Sequence, residues 1–453
     1  MYRYRIPSEL RAGAGQSQLL LATSGGVTEA GAALHPQFFS GLLTAPAVAA
    51  AGMLAVAAVG RASYFTAASV VRMLRDPVVT SNGDRVRFES FSGCCGVHAR
   101  LDLLPAALDR APTVSGTTNV DFNDPMRAAL AGTAVGGALR LTVGADEVSV
   151  TTAGGSVTER KVPLPDRWLK GFGEVQALAR GMILAGELDA AQARRFLRSL
   201  PRRARRPLWV ILAGGAFQLA VTPRPGAVCL SGPHRLAALQ PLLRFARRLR
   251  AYGPPSSSTA GLLPAPSAWE LDLGRARLTF TLSPESYRGF SGEGALLTLL
   301  GNDEAAADAN VVSVSLAWDP RIDPGRLSRE AHLPARRVTA ALSYLAASGR
   351  IGYDLAEEAF FHRELPFDPA ALESMHPRLA GARALAGVGA ITLSPGGAVV
   401  AAGDSQHRVT FADPHDRCTC PWWGKHRGTR GPCRHVLAAR IAAKDAVPAR
   451  PQR

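Results

Sequence analysis

The sequence predicts an α+β fold divided into several domains, and three observations lead to this prediction. The chain has 453 residues, which at about 150 residues per domain favours roughly two to four domains. Hydrophobic residues make up 47% of the chain and the mean hydropathy is +0.05, values typical of globular rather than disordered proteins. Helical patterns are mixed with short strands around glycine turns, and six cysteines in this length exclude a disulfide scaffold.

The chain is strongly basic. Lysine and arginine total 52 against 36 aspartates and glutamates, which gives a net charge of +16. Only four of the basic residues are lysines, so part of the arginine excess reflects overall composition. A net charge of this size still favours a polyanion or an acidic surface as the partner.

The sequence predicts a cytoplasmic protein. Met1 to Ile6 carries two arginines, but the residues after Ile6 are polar and glycine-rich and do not form the apolar core of a secretory signal. The stretch from Gly41 to Gly60 has no charge and is long enough to span a bilayer, but alanine and glycine contribute little transfer free energy. We therefore interpret it as a buried, alanine-rich helix and expect no membrane partner.

Residues 1–252 are predicted to form an α+β N-terminal region of unknown role. No Walker loop, dinucleotide-binding glycine pattern or hydrolase nucleophile motif occurs in the chain, so we predict that the protein is not an enzyme. The apolar patterns predict, in order, a mainly helical stretch at Pro36–Met73, strands within Val79–Leu104, three meander strands at Ala138–Val143, Val148–Thr152 and Val157–Val162, helices within Trp168–Leu200, strands at Leu208–Leu212, Phe217–Val221 and Ala227–Leu230, and an amphipathic helix at Arg235–Tyr252.

Two features of this region leave alternatives open. Cys94 and Cys95 are adjacent and have no metal-spaced partner, so we interpret them as a buried pair in a strand, with a second metal or redox site as the alternative. The run from Arg194 to Arg206 contains seven arginines. It could bind phosphates, or it could be a solvated helix end and loop.

A stretch rich in proline, serine and glycine at residues 253–267 is predicted to be a linker, because this composition does not form a packed core. It divides the chain into a large N-terminal half and a C-terminal half. Strand patterns at Trp269–Leu282 and Val311–Trp318 then predict a β-rich segment over residues 268–320.

A helix, a tight turn, a second helix and a β-pair are predicted over residues 321–368. The second helix begins after Pro334 and ends at Gly349. This order resembles the winged helix-turn-helix family over Asp323–Phe367, which implies either DNA reading or protein binding. The outward positions of the second helix, which suit phosphate contact, are Arg336, Arg337 and Ser343. The acidic residues of the wing, which would repel phosphate, are Asp354, Glu357 and Glu358.

The segment from Cys418 to His435 carries a metal-ligand pattern. Its spacing is C-x-C, twelve residues, then C-x-H, and the ligand-type residues are Cys418, Cys420, Cys433 and His435. Three thiolates and one imidazole complete a tetrahedral Zn²⁺ site, and sulfur donors select zinc over magnesium or calcium. His415 or His426 could replace His435, although the C-x-H spacing favours His435. Free buried thiols fit the surrounding glycine, proline and arginine poorly, and a disulfide is disfavoured because C-x-C neighbours pair badly and the predicted compartment is reducing.

The ligand pairs are predicted to lie on a ββα unit. Strands are expected at Val399–Ala402 and Arg408–Phe411, and a helix at Val436–Ala443. This order and the ligand spacing resemble the SWIM zinc finger family over Val399–Ala443, and the finger is predicted to occupy residues 390–445. The resemblance implies binding to nucleic acid or to protein and does not decide between them.

A zinc ion with four protein ligands leaves no position for substrate, so we predict one structural Zn²⁺ and no small-molecule substrate. Tryptophans interleaved with basic residues suit nucleic-acid binding, although a tryptophan could instead pack in the finger core. The sequence therefore predicts an accessory factor that binds nucleic acid, DNA rather than RNA, with a protein-interaction adaptor as the alternative. The residues of the predicted nucleic-acid or partner surface are Trp422, Trp423, Lys425, Arg427, Arg430 and Arg434.

Overall fold

The structure is a computed structural model of the chain. It describes residues 8–12, 16–21, 23, 26–33, 38–64, 77–112, 114–120, 122–131, 138–143, 164, 166–204, 206–255, 263–365, 374–412 and 416–446. Helices and several sheets are mixed within these residues, so the fold class is α+β, as predicted. In this part of the chain, no helix has the length and apolar character needed to cross a bilayer.

The described N-terminal elements form three sheets and the helices that accompany them. The first elements are β1 (Glu9–Ala12), β2 (Gln16–Leu21), β3 (Gly26–Thr28), β4 (Gly31–Ala33), β5 (Phe39–Leu43), α1 (Pro46–Arg61), β6 (Val78–Asn82), β7 (Arg85–Phe91), β8 (Val97–Leu103), β9 (Gly116–Asn119), α2 (Asp124–Ala131) and β10 (Ala138–Val143). They are followed by α3 (Asp166–Ala179), β11 (Ile183–Asp189), α4 (Ala190–Ser199), β12 (Leu208–Ala213), β13 (Ala216–Ala220), β14 (Val228–Leu230), a 3-10 helix at Pro233–Leu242, β15 (Arg248–Gly253), β16 (Ser267–Asp272) and β17 (Ala276–Leu282).

A ten-stranded sheet is the main scaffold of the described chain. Its strand order is β11-β15-β16-β17-β8-β7-β6-β9-β3-β4, and each neighbouring pair is antiparallel. The alanine-rich helix α1 packs on β7 and β8, with Met53, Val56 and Val59 fully buried. The uncharged stretch from Gly41 to Gly60 is therefore part of β5 and of a core helix.

The linker prediction for residues 253–267 does not match the course of this sheet. β15 ends at Gly253, β16 begins at Ser267, and the two strands are antiparallel neighbours with Tyr252 opposite Ala268. The proline- and glycine-rich composition fits a connection between two adjacent strands as well as it fits a linker between domains. Residues on both sides of it belong to one sheet.

Two helical predictions in the N-terminal half are wrong in part. Within Trp168–Leu200, α3 and α4 are separated by the strand β11. Within Arg235–Tyr252, the helix is a 3-10 helix that ends at Leu242, and β15 follows. Pro241 lies inside the 3-10 helix, where a proline cannot donate an α-helical hydrogen bond. The residues after it pair with β11 on one side and β16 on the other.

The meander prediction is confirmed for its first strand only. Ala138–Val143 forms β10, which pairs in parallel with β2 and antiparallel with β5 in a four-stranded sheet. The other two predicted strands, Val148–Thr152 and Val157–Val162, lie outside the described residues.

The predicted strand at Val311–Trp318 is wrong, because a helix occupies its first four residues and the other four form no strand. After a short 3-10 helix at Phe290–Gly292, the chain forms α5 (Leu296–Leu300) and then α6 (Asp303–Val314). The Asn302 side chain caps α6 by accepting the N–H of Ala305 at 3.3 Å, and the first turn is acidic, so both helix-start signals are present. These two signals outweigh the strand preference of the valines near the end of α6.

Residues 321–368 contain the predicted helices and β-pair in the predicted order. These elements are α7 (Pro324–Glu330), α8 (Ala335–Ala347), β18 (Ile351–Asp354) and β19 (Ala359–His362). Of the outward positions predicted on α8, Arg336 is exposed, but Ser343 is buried. Arg337 bonds Asp308 of α6 at 2.8 Å. α8 therefore presents less basic surface than its sequence suggests.

Two of the three acidic wing residues expected to repel phosphate, Asp354 and Glu357, are ion-paired to arginines, and only Glu358 is exposed. Asp354 is buried and accepts from Arg277 at 2.8 Å, while Arg100 lies 3.1 Å from its carboxylate. Burial opposes the charge of Asp354, but these two arginines outweigh it and lower its pKa. The β18–β19 hairpin is thereby ion-paired to the ten-stranded sheet.

The C-terminal elements form a small sheet flanked by helices. They are α9 (Pro377–Gly387), β20 (Ile391–Ser394), β21 (Gly397–Ala402), β22 (Ser405–Thr410), β23 (Arg417–Cys418), α10 (Pro421–His426) and α11 (Arg434–Asp445). The four strands are antiparallel in the order β20-β21-β22-β23. The predicted strands and final helix of the finger are confirmed.

Candidate metal centre

The four predicted ligands come together in one buried cluster. The donor atoms of Cys418, Cys420, Cys433 and His435 all lie within 4.8 Å of one another, and the four residues are buried. Cys418 ends β23, which pairs with β22, and His435 lies in the first turn of α11. A strand end, the short helix α10 and the start of α11 thus meet at a single point.

Two of the cysteines stand at helix starts. Cys420 precedes α10, and its Sγ accepts the N–H of Trp423 at 3.3 Å. Cys433 precedes α11, and its Sγ accepts the N–H of Val436 at 3.4 Å. Backbone N–H groups and the positive end of a helix both stabilise a thiolate over a thiol. The fold therefore prepares these sulfurs for a cation.

The three thiols shift one another's pKa, and the result suits metal binding. The hydrogen bond from Cys418 lowers the pKa of Cys433 to about 4, while the same interaction and burial raise the pKa of Cys418. Burial is also the main reason that the pKa of Cys420 is raised. Packing three sulfurs this closely discourages three thiolates unless a cation neutralises them.

His435 has the orientation that a ligand requires. Its Nδ1 lies 3.9 Å from Sγ of Cys418, so this nitrogen faces the cluster, and Nε2 lies 3.2 Å from Nε of Arg434. His426 instead packs its ring on Trp422, with centroids 4.7 Å apart. The structure therefore brings His435, and not His426, to the sulfurs, while His415 lies outside the described residues.

The donor set fits Zn²⁺. A tetrahedral site with Zn–S bonds of about 2.3 Å needs sulfurs about 3.8 Å apart, which is compatible with donor atoms that all lie within 4.8 Å. Three sulfurs and Nδ1 of His435 would hold the ion, and its role would be to join β23, α10 and α11. With four protein ligands in place, the ion would have no coordination position for a substrate.

The residues of the predicted nucleic-acid surface fall into two groups, those that are exposed and those that pack or bond within the protein. Lys425, Arg427 and Arg434 are exposed. Trp422 and Trp423 are half-buried and pack against the finger core, and Nε1 of Trp423 donates to the carbonyl of Asp416 at 3.0 Å. Arg430 turns away from solvent, and its Nε donates to the carbonyl of Gly292 at 3.1 Å. The tryptophans therefore serve packing more than stacking.

A docking contact that the sequence analysis does not predict joins the finger to the rest of the chain. Arg378 on α9 donates to the carbonyls of Arg430 at 2.7 Å, Pro432 at 3.1 Å and Glu293 at 2.6 Å. Its guanidinium also lies 4.8 Å from the ring centroid of Trp422. The spacer between the two ligand pairs is thereby attached to the segment that leads into α5.

Glycine permits the close approach at this contact. Gly431 has a φ of +69°, and a Cβ there would lie 2.2 Å from the carbonyl oxygen of Gly294. Only glycine combines this backbone conformation with so little space. The glycine-rich spacer is a signal that could have indicated docking, but no local pattern identifies Arg378 as its partner.

The remaining cysteines form no metal cluster within the described residues. Cys94 and Cys95 are buried in the turn between β7 and β8, and burial raises the pKa of Cys95 to about 12. Cys229 lies in β14 and is also buried. The interpretation of Cys94 and Cys95 as a buried pair holds, although they lie in a turn and not in a strand.

The fold and the site together define a zinc finger protein, with a closed set of four ligands held by a β-sheet and a helix. Comparison with known families specifies the type. The family model described as SWIM zinc finger matches residues 407–444, and the chain therefore carries a SWIM zinc finger at its C-terminal end. The match begins within β22 and includes all four ligands.

Whole-chain comparisons add little to this result. No curated protein sequence matches the chain. Among solved structures, the proliferating cellular nuclear antigen of Entamoeba histolytica is similar, with a TM-score of 0.33 and 11% sequence identity over 55% of this chain and 98% of that chain. A TM-score this low does not define a shared fold.

Proposed function

We propose that this protein is a non-enzymatic accessory factor of the cytoplasm that binds nucleic acid, DNA in preference to RNA, and that one structural Zn²⁺ holds its finger together. The observation that carries the proposal is the charge of the finger. Between Ser405 and Arg440 the only acidic residues are Asp413 and Asp416, and Asp416 is held by Arg440 at 2.8 Å. A surface of this kind attracts phosphate backbones.

Several basic side chains of the finger are exposed to solvent. Arg417, Lys425 and Arg427 are exposed, and no side-chain hydrogen bond or ion pair joins any of them to another described residue. Because Trp422 and Trp423 are engaged in packing, contact with phosphates suits this surface better than stacking on unpaired bases.

The closed ligand set supports a non-enzymatic role. Zinc catalysis needs a coordination position for water or substrate, and here four side chains would fill the coordination sphere. Binding is then the work of the surface that the metal stabilises.

A protein-interaction adaptor is the second candidate, and exposed apolar side chains favour it. Val311 and Val314 on α6 are 49% and 88% exposed, and Val388 after α9 is 77% exposed. Exposed apolar residues of this kind suit a protein partner. This role would need neither the finger arginines nor a nucleic acid.

The test is fluorescence anisotropy of a short mixed-sequence DNA duplex over a salt series, with the RNA duplex of the same sequence alongside. Replacing Arg417, Lys425 and Arg427 together by glutamine is expected to reduce the slope of log K against log salt by about 0.9 per lost phosphate contact. The control replaces Arg11, Arg61 and Arg110, which pair with Glu9, Asp124 and Asp109. No duplex binding by the intact protein, together with a co-purifying protein partner, would favour the adaptor.

A further inference from the structure

We propose that α4 and the loop after it form a second nucleic-acid-binding surface, which takes the phosphate backbone of a duplex independently of the zinc finger. The inference rests on the proposed function and goes beyond it by assigning a role to the N-terminal region. We call this the arginine surface, and its residues are Arg195, Arg198, Arg202, Arg203 and Arg206.

The charge distribution along the chain is the first argument. The segment Ala190–Trp269 contains thirteen arginines and no aspartate, glutamate or lysine. Its charge of +13 is most of the net +16 of the whole chain. The main source of the basic character is therefore this segment and not the finger.

Overall composition does not explain this segment. A coding bias that replaces lysine by arginine raises the arginine count, but it does not remove acidic residues. With 36 acidic residues in 453 positions, an even distribution would place about six in a segment of this length. Their complete absence makes the segment an electrostatic feature of the molecule.

The structure fixes α4 as a rigid platform. Asp189 accepts the N–H groups of Ala191 and Gln192 at 2.8 Å, and Gln192 bonds back to the N–H of Asp189 in a capping box. On the inner face, Phe196 and Leu197 are buried, and Phe196 stacks on Trp269 with ring centroids 5.8 Å apart. The core therefore fixes which side of the helix faces solvent.

That outer side carries only positive charge. Arg195 and Arg198 are exposed and lie three residues apart, which places their side chains next to each other on the helix surface. Arg202, Arg203 and Arg206 are exposed in the loop that leads to β12. No side-chain hydrogen bond or ion pair links any of the five to another residue of the described chain.

Neighbouring arginines behave differently. On β15, Arg248 lies 3.3 Å from the carboxylate of Glu187, and Arg250 pairs with Glu187 at 2.6 Å and Glu270 at 2.9 Å. The carboxylates of Glu187 and Glu270 are therefore paired with arginines of β15, whereas no carboxylate of the described chain pairs with the arginine surface. Its field is available to a ligand that brings its own negative charge.

Duplex phosphate is the ligand that fits best. Protein interfaces have an apolar centre with a polar rim. From Ala190 to Pro207, by contrast, Phe196 and Leu197 are buried and Leu200 is half-buried, so this stretch exposes no large apolar side chain. Stacking of unpaired bases needs exposed aromatic rings, and Phe196 is the only aromatic residue of this stretch. Forked guanidinium groups match phosphate oxygens and need nothing more from the partner.

The experiment measures binding of the full chain to a fluorescein-labelled DNA duplex over a salt series. Replacing Arg195, Arg198, Arg202 and Arg203 together by glutamine is expected to weaken binding at least about tenfold and to lower the salt slope by about 0.9 per lost contact. Because these side chains are exposed, thermal unfolding should be unchanged. The matched control replaces four paired surface arginines, Arg11, Arg61, Arg110 and Arg383.

The outcomes separate this inference from the proposed function. We call the variant with four glutamines on the arginine surface the α4 variant, and the one with three glutamines on the finger the finger variant. Equal weakening of duplex binding in the α4 variant and the control variant would overturn the inference. Unchanged duplex binding by the α4 variant, when the finger variant no longer binds, would also overturn it. Binding of an acidic protein but of no duplex would overturn the inference and the proposed function together. A loss specific to the α4 variant that adds to the loss from the finger variant supports both surfaces.

Discussion

At the scale of single residues, the fourth zinc ligand gives the sharpest prediction. Structural zinc sites bind with about 10–16 kcal/mol, so removing one of four ligands costs on the order of 3 kcal/mol, or about 100-fold in affinity. We expect His435→Asn to have this effect, because Nδ1 of His435 faces Cys418 at 3.9 Å. Competition with a zinc-binding dye measures the affinity.

His426→Asn is the matched control for that measurement. His426 lies in the same spacer, but its ring packs on Trp422 and takes no part in the cluster. Zinc affinity should stay within a few-fold of the wild type. An equal loss from both variants would contradict the assignment of His435 as the ligand.

A buried glutamate provides a second prediction at this scale. Glu174 on α3 accepts the N–H groups of Ala295 at 2.7 Å and Leu296 at 3.2 Å, and burial raises its pKa from 4.5 to about 7. Because the folded pKa lies above the unfolded value, this group favours the folded state most below pH 4.5, and that contribution is lost as the pH rises to 7. The loss is about 3 kcal/mol.

Glu174→Gln should remove this pH dependence. Between pH 4.5 and 7 the melting temperature of the wild type is expected to fall relative to that of the variant, and differential scanning calorimetry measures the difference. Glu187→Gln, at a half-exposed position on β11, is the control that should keep the wild-type profile. Parallel profiles for the wild type and Glu174→Gln would contradict the raised pKa.

The role of a residue could be predicted from the sequence where its partners are near in the chain, and could not be predicted where they are distant. The four zinc ligands follow from the spacing alone, since C-x-C and C-x-H place donors within one turn of chain. Arg430 shows the limit, because it reads as a surface arginine and instead bonds Gly292. Its partner is 138 residues away in the chain, and no periodic pattern connects the two.

At the scale of elements, the attachment of the finger spacer to α9 makes a third prediction. Arg378 donates to three carbonyls on two segments, and its removal should cost about 2–4 kcal/mol at this contact. We expect Arg378→Met to retain zinc, because the ligands are unchanged, but to lose hydrogen-exchange protection in α9 and at residues 292–294.

The control for this variant lies on the same helix. Arg383 pairs with Asp303 at the surface, where an ion pair contributes about 1 kcal/mol or less. Arg383→Met should therefore leave the exchange pattern unchanged. Loss of zinc from Arg378→Met would show that the contact also shapes the metal site.

The wing gives the fourth prediction. Asp354 faces three arginines of the sheet, Arg87, Arg100 and Arg277. Its removal leaves these three buried cations to share Asp102, with Glu357 as a further partner of Arg277. We expect Asp354→Asn to destabilise the protein by about 3–5 kcal/mol in denaturant unfolding. Glu358→Gln, at the exposed end of the same wing, should change stability by less than about 0.5 kcal/mol.

Elements were predicted well where local signals agree and poorly where they compete. The helix α8 has an apolar stripe bounded by Pro334 and Gly349, and it was placed within a residue. In α6 the cap at Asn302 competes with the β-branched residues near Val314, and the strand prediction followed the latter. The pattern of Arg248–Gly253 fits a helix or a strand, and pairing with β11 and β16 makes this segment the strand β15.

At the scale of the whole molecule, the zinc finger shares a hydrophobic core with other elements and is not an independent domain. Leu437 and Ile441 of α11 share one apolar cluster with Leu296 and Leu300 of α5 and Leu379 of α9. The same α5 packs on α3 and α8. Zinc binding is therefore connected through packed side chains to helices more than one hundred residues earlier in the chain.

Removal of zinc tests this connection. We expect a chelator to abolish hydrogen-exchange protection in β20–β23 and α11, because a unit this small depends on its metal to fold. Protection should also fall in α9 and α5, which lose the packing of Leu437 and Ile441, while β6–β8 and β16–β17 should remain protected. Adding zinc back should restore all of it.

Each possible hydrogen-exchange result after zinc removal leads to a different conclusion. Unchanged protection throughout the C-terminal sheet would contradict the zinc site itself. Loss confined to β20–β23 and α11, with α5 and α9 unaffected, would contradict the shared core and make the finger an independent module. Loss that reaches α5 but spares the ten-stranded sheet is the expected result, because the sheet has its own apolar core, in which Leu101, Leu278 and Phe280 are fully buried and the finger has no share.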